Sequence, residues 1–242
     1  ESCMLLPLIT IFKTKAIMKK LFATTLSVLL LSISSAFAGM GIGVTLSSNS
    51  LDTDAKEDVD SNTTIDATKS VTDKFMAGSI FAEYTLDSDA YVISVGIDYV
   101  PMDADIDKRT TTQSSIAGKS AAGSATTGTN SVEGTISDHM TFYVQPGIKM
   151  TEATTFYGTL GYSTADVEGK NSSLSSTNIT SGRDLEGRKI GIGLRHQRGD
   201  YFFKVDYSST DYNTVGWQTD NGTTGMADLD NKALALSMGK SF

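Results

Sequence analysis

Tyr91-Val92-Ile93-Ser94-Val95-Gly96-Ile97-Asp98-Tyr99 is the stretch that decides the fold. Its odd positions carry Tyr91, Ile93, Val95, Ile97 and Tyr99, while its even positions include Ser94, Gly96 and Asp98. Successive side chains of a strand point to opposite faces. A period of two therefore describes a strand with one apolar face and one small, polar face. A tyrosine closes the apolar face at each end.

Seven further segments repeat the alternation, at 40–46, 76–84, 140–148, 156–163, 189–197, 201–208 and 233–242. The connections alternate too. Short polar turns at 87–89, 151–154 and 198–200 join strands in pairs, and long Ser/Thr/Asp/Gly/Asn-rich connections fill about 48–73, 101–136, 166–186 and 209–230. Eight antiparallel strands with short turns at one end and long loops at the other predict an all-β, eight-stranded up-and-down β-barrel. No heptads and no second domain follow the first 38 residues.

Composition by itself suggests something else. The chain has 242 residues, 39% hydrophobic and 20% charged, with a net charge of −8 and a single cysteine, Cys3. These figures exclude a disulfide scaffold and a basic nucleic-acid binder. They otherwise look like those of an ordinary soluble protein.

Residues 18–38 have the three parts of an export signal. Met18-Lys19-Lys20 is basic, residues 21–33 are apolar, and Ala36-Phe37-Ala38 offers small residues before Gly39 for cleavage. Residues 1–17 read as an upstream extension outside the native protein, and Cys3 belongs to them. The working domain is then 39–242. It keeps 16 basic against 27 acidic residues, a net charge of −11.

A soluble barrel hides its apolar face inside, whereas a membrane barrel turns it out to lipid. The polar face here carries Glu83, Asp98, Lys189, Arg195, Lys204 and Asp206, three of each sign, together with most strand glycines. Small residues suit a narrow lumen, and charges inside it must pair, because an unpaired buried charge is costly. Among the apolar-face positions only Lys240 is charged. Tyr84, Tyr91, Phe156 and Tyr201 lie on that face beside the short turns. Tyr99, Phe142, Tyr162 and Tyr207 lie on it towards the long connections. Two aromatic girdles flanking aliphatic residues mark two lipid–water boundaries. The barrel is therefore expected to be transmembrane.

The chain closes on Leu234, Leu236, Met238 and Phe242 at two-residue steps, interrupted by Lys240. This resembles the C-terminal assembly signal of outer-membrane barrel proteins. With the export signal, strand count and loop alternation, the chain resembles the small eight-stranded outer-membrane barrel family of the OmpA, OmpX and Ail type. The resemblance implies a bacterial outer-membrane location with short periplasmic turns and four extracellular loops. It also implies contact with outer-membrane lipids and lipopolysaccharide, and help from periplasmic chaperones and the barrel-assembly machinery. No nucleic-acid partner is expected, and a barrel that closes alone is expected to be monomeric.

Candidate sites are few. His139 and Thr141 share the polar face near the long-connection rim, and a His–hydroxyl pair can run acyl transfer. The lipid A deacylases and palmitoyltransferases resemble this chain in using small barrels. Here, however, Thr stands where Ser is expected, and neither an oriented base nor an oxyanion site is legible. No catalytic residue, metal or cofactor is assigned. Asp52, Asp54, Glu57, Asp58 and Asp60 form an acidic run without EF-hand spacing, read as a solvated loop. Arg198-Gly199-Asp200 reads as turn chemistry rather than an adhesive motif. Asn62, Asn171, Asn178 and Asn221 stand in glycosylation sequons that a bacterial context leaves unused. Trp217 reads as an outer-rim anchor or part of a strand extension.

The leading expectation is a non-enzymatic outer-membrane barrel displaying surface loops, with a structural or surface-interaction role. A narrow channel for ions or small solutes is the alternative, and a lipid A acyl-modifying enzyme the second.

Overall fold

The computed structural model describes residues 39–58, 65, 67–113, 128–172, 182–218 and 224–242. The export signal with Ala36, Ala38 and Cys3 lies outside the described residues, as do Asp60, Asn62, Asn178 and Asn221.

Among the described residues ten strands build eight staves. They are β1 (Met40–Asp58), β2 (Ala67–Asp87), β3 (Tyr91–Tyr99), β4 (Ala104–Gln113), β5 (Gly128–Lys149), β6 (Thr154–Ser172), β7 (Gly182–Arg198), β8 (Tyr201–Tyr212), β9 (Val215–Gln218) and β10 (Thr224–Ser241). Neighbours pair antiparallel in chain order. β1 pairs with β10 from Gly41↔Ser241 to Asp58↔Thr224, which closes the sheet into a barrel. In the lower part, where all eight staves pair on both sides, closure satisfies the strand edges, the condition for a sheet to sit in lipid. β3 and β4 share one stave beside β5, and β8 and β9 share one beside β10.

The short turns follow from local chemistry. The Ser88 hydroxyl donates to the Tyr91 carbonyl and accepts from its amide, closing the turn between β2 and β3. The Thr151 hydroxyl accepts from the Thr154 amide between β5 and β6 at 3.0 Å. Gly199, at φ +61°, makes the two-residue turn from Arg198 to Tyr201. The Arg-Gly-Asp tripeptide is thus a tight hairpin.

The exterior of the lower part is apolar. Val44, Leu46, Val95, Val144, Leu160, Ile192, Leu236 and Met238 all stand exposed on it. Tyr91 to Tyr99 spans nine residues. At a tilt of about 40° such a strand rises roughly 20–23 Å, close to the ~25 Å height of the apolar band of membrane barrels. Exposed apolar area of this extent is a lipid-facing surface.

The long connections of the sequence reading are corrected by the structure. β1 runs unbroken to Asp58, β2 starts at Ala67, β6 continues to Ser172, β7 starts at Gly182 and β10 at Thr224. The acidic run Asp52, Asp54, Glu57 and Asp58 is strand, paired on both sides with β2 and β10 as far as Glu57. Trp217 lies in β9, opposite Gly225.

The physical reason is a reversal of the two faces along the same strands. In β1, Val44 and Leu46 point out while Thr45, Ser47 and Asn49 point in. Above Ser50 the buried position is Leu51, and Asp52 and Asp54 face water. In β10, Leu234 and Leu236 point out, but higher up Ala227 and Leu229 are buried and Asp228 and Asp230 lie outside.

Leu51, Ala165, Leu185, Tyr212, Ala227 and Leu229 meet inside as an apolar cluster, with Ala55, Phe75, Ile136, Val167 and Val215 packed against it. Each fully buried leucine contributes on the order of 1.5–3 kcal/mol. That core holds the polar upper strands together without lipid. The barrel therefore has two storeys, apolar outside below and apolar inside above.

A bulge in β5 adapts one strand to this change. Register with β6 slips by one residue between Ser137 and Met140, with Asp138 at φ +53°. A single inserted residue flips all side chains beyond it to the other face. Ile136 shares parity with the outward Met140, yet the bulge turns it inward against the apolar cluster.

Candidate functional site

Among the described residues the lumen concentrates the chemistry of the interior, and it divides into three layers. The floor is an ion cluster. Glu83 of β2 is buried and receives Arg195 Nη1 of β7 at 2.5 Å and Lys204 Nζ of β8 at 3.0 Å. The Tyr143 hydroxyl donates to Glu83 Oε2 at 3.0 Å, and Lys204 also donates to the Gln145 side-chain oxygen at 2.8 Å. One carboxylate thus meets two cations and a phenol. That geometry is what offsets the desolvation of buried charge.

Aromatic rings complete the floor. Phe202 is fully buried, and the Arg195 guanidinium stacks 3.8 Å from its ring centroid. Lys204 Nζ sits 5.1 Å from the Phe81 ring and 5.3 Å from the Tyr143 ring, within cation–π range.

Four inward rings fit a narrow lumen because each faces a glycine across the ladder. Phe81 pairs with Gly43, Tyr143 with Gly96, Tyr157 with Gly193 and Phe202 with Gly239. A Cβ at Gly96 would lie 2.5 Å from the Tyr143 ring, and one at Gly193 would lie 2.6 Å from Tyr157. The glycines make room for the rings.

Above the floor lies a cavity of about 460 Å³ whose walls mix polar and apolar side chains. Asp98 and Asp206 line it and each takes a neutral donor. Ser79 donates to Asp98 at 2.7 Å, and the Tyr157 hydroxyl donates to Asp206. Lys189 lines the same cavity within electrostatic reach of both. The six ionisable residues read on the polar face all lie in the lumen, but they do not form one network. Only Glu83, Arg195 and Lys204 pair directly. The apolar cluster around Leu51, Leu185 and Tyr212 forms the third layer, the ceiling.

Sequence reading did not single out Tyr143, Tyr157, Phe81, Phe202 and Gln145. A bulky ring on an otherwise glycine-rich strand face is the signal that finds the four aromatics. Gln145 has no such mark.

His139 and Thr141 do not meet as a dyad. His139 Nε2 hydrogen-bonds the Tyr212 hydroxyl at 2.9 Å, and the Thr141 hydroxyl bonds that of Ser163 at 2.8 Å.

The girdle residues stand on the exterior. Tyr84, Tyr91, Phe156 and Tyr201 are exposed at the turn end, and Phe142, Tyr162 and Tyr207 at the other, with Tyr99 half-buried. Phe142 and Tyr162 are direct cross-strand partners. Leu234, Leu236, Met238 and Phe242 are exposed on the outer face of the last strand and just beyond it. Gly39, at φ +98°, precedes β1.

No protein-family model matches the chain, and no curated protein sequence matches it. Solved structures do resemble it. OprG from Pseudomonas aeruginosa shares 14% identity with a TM-score of 0.49, over 85% of this chain and 96% of its own. Ail, the attachment invasion locus protein of Yersinia pestis, solved with the heparin analogue sucrose octasulfate, shares 13% identity at a TM-score of 0.41. That match covers 84% of this chain and 99% of Ail. The outer membrane protease OmpT from Escherichia coli shares 8% identity at a TM-score of 0.45, over 87% and 99% of the two chains. By its own closed meander, apolar belt and polar lumen, the chain has the architecture of the small eight-stranded outer-membrane barrels.

Proposed function

We propose that the chain is a non-enzymatic bacterial outer-membrane barrel. Its membrane storey anchors a self-supporting polar crown on the cell surface, for envelope structure or surface interaction. The observation that carries this reading is the reversal of faces at Ser50 and above Leu234. The lower storey demands lipid and the upper one demands water. The floor of Glu83, Arg195, Lys204 and Phe202 fills the lumen below the cavity, which favours an anchor over an open pore. His139 and Thr141 bond away from each other, which favours a role other than acyl transfer. Outer-membrane lipids and lipopolysaccharide surround the belt in this reading, and the assembly machinery and periplasmic chaperones act during biogenesis. The barrel is monomeric.

Orientation is tested by single cysteines, because residues 39–242 contain none. Asp54→Cys on the upper storey should react with an impermeant maleimide on intact cells. Asp89→Cys in a short turn should react only after permeabilisation. The reverse pattern contradicts the crown's outward placement. Reproducible conductance steps in a planar bilayer would favour the narrow channel, and an altered lipid A mass spectrum on expression would favour the enzyme.

A further inference from the structure

The cavity above the ion cluster holds an uneven set of charges. Asp73 shares the inward parity of Phe75 and lines the cavity together with Asp98, Asp206 and Lys189. Lys74 and Asp103 reach the same lining from the surface, where both are exposed. With the floor included and His139 uncharged, Glu83, Asp73, Asp98, Asp103 and Asp206 stand against Lys74, Lys189, Lys204 and Arg195. Without the two surface residues, four acids face three bases. The interior is one positive charge short on either count. Walls of low dielectric sharpen such an excess, so a bound cation is favoured and an anion is opposed.

The walls are also short of hydrogen-bond donors. The Asn231 side-chain nitrogen donates to Asn49 Oδ1 at 3.0 Å, and its Oδ1 is buried with no partner among the described residues. His139 Nε2 is bonded to the Tyr212 hydroxyl, and its buried Nδ1 likewise has no partner among the described residues. Both side chains line the cavity. Asp98 and Asp206 each take one neutral donor, from Ser79 and Tyr157, where a carboxylate has room for about four. Hydroxyl side chains supply more of the wall, Thr45, Ser47, Thr141, Ser208 and Thr210 among them. A buried polar atom without a partner costs free energy that a ligand can recover.

These two shortages define one ligand chemistry. A primary ammonium brings a positive charge and three donors, whereas a quaternary one brings the charge alone. Further hydroxyls on the ligand would meet the hydroxyl-bearing walls. The volume of about 460 Å³ falls in the range of small-molecule sites, about 300–1,000 Å³. Lys74 pairs with Ser50 at the base of the crown, so the exposed part of the lining stands on the water side of the belt.

We propose that this cavity binds a polyhydroxylated primary amine of about amino-sugar size, taken from water. Its ammonium is held by the acidic excess to which Asp73 contributes, and its hydroxyls meet Asp98, Asp206 and Asn231. This site is independent of which role the crown plays.

The test is a ligand-observed NMR titration of the barrel in nanodiscs with glucosamine, against empty nanodiscs. Glucosamine should bind saturably. Glucose, N-trimethylated glucosamine and glucuronate should each bind about tenfold more weakly or worse, since a hydrogen bond to a charged group is at stake in each. Asp73→Asn should weaken glucosamine by about tenfold and leave glucose unchanged. Ala235→Trp fills the far wall and should weaken glucosamine by about tenfold or more, while Ile192→Trp on the lipid face should not. Retained β-type circular dichroism and heat-modifiable migration establish that the variants fold. Absence of saturable binding, or binding unmoved by both Asp73→Asn and Ala235→Trp, overturns the site. Glucose or glucuronate binding as tightly as glucosamine overturns the preference for a cation. Equal binding of the trimethylated form overturns the requirement for a donor.

Discussion

Glu83 on β2 and Arg195 on β7 meet across the lumen at 2.5 Å, although they stand 112 residues apart in the chain. Their side chains are almost fully buried, and Lys204 shares the same carboxylate. Glu83→Gln leaves two buried cations without their anion. It should lower stability by about 3–5 kcal/mol, the cost of breaking a buried pair from one side. Urea unfolding of the barrel in lipid vesicles measures this. Lys204→Met should cost less, because Glu83 keeps Arg195.

Gly96 and Tyr143 are cross-strand partners whose volumes are complementary. Gly96→Ala places a methyl where the Tyr143 ring now lies, and overpacking of this kind costs about 1–3 kcal/mol. Adding Tyr143→Ala should recover part of the loss despite removing the hydroxyl bonded to Glu83. If the double variant is as unstable as the sum of the singles, glycine is not there to accommodate the ring.

The β5 bulge is a parity switch. Deleting Asp138 should restore continuous pairing with β6 and turn Ile136 outward, away from the apolar cluster. The upper storey should then lose amide protection from hydrogen exchange, while β3 and the lower half of β5 keep theirs. Equal loss throughout would mean that the storeys are not separately held.

On the exterior of the upper storey, Asp52 accepts from the Thr72 hydroxyl at 2.6 Å and from Lys232 at 3.2 Å. The Thr72 hydrogen bond first, then Lys232, holds its carboxyl below the ordinary 3.8. A depressed carboxylate stabilises the fold above its unfolded value and loses that contribution as pH falls through the folded value. Asp52 is solvent-exposed, so the effect is expected in titration more than in stability. Thr72→Val should move the Asp52 carbon-detected NMR titration upward by more than Lys232→Ala does.

Much of the membrane storey was legible because lipid and lumen impose opposite demands on alternate residues. Val95 and Asp98 needed only their parity to be placed. The upper storey was not legible, because the same strands continue with the sign of the alternation reversed and a polar outer face. Leu51, Leu185 and Leu229 stand singly among Ser, Thr and Asp, and read as loop until their neighbours across the ladder are known. The lumen charges were legible as a set. Their pairing was not, because Glu83 could reach any of three cations until shear fixed which strands face each other.

The most direct measurement of the two-storey barrel is paramagnetic broadening of amide-proximal methyl and side-chain signals by a lipid carrying a nitroxide in its acyl chain. Val95, Val144 and Leu236 should broaden strongly, while Thr141 and Leu51 stay sharp, the first inside the lumen and the second in the core of the crown. Broadening of Leu51 equal to that of Leu236, or a sharp Val95 beside a broadened Thr141, would contradict it.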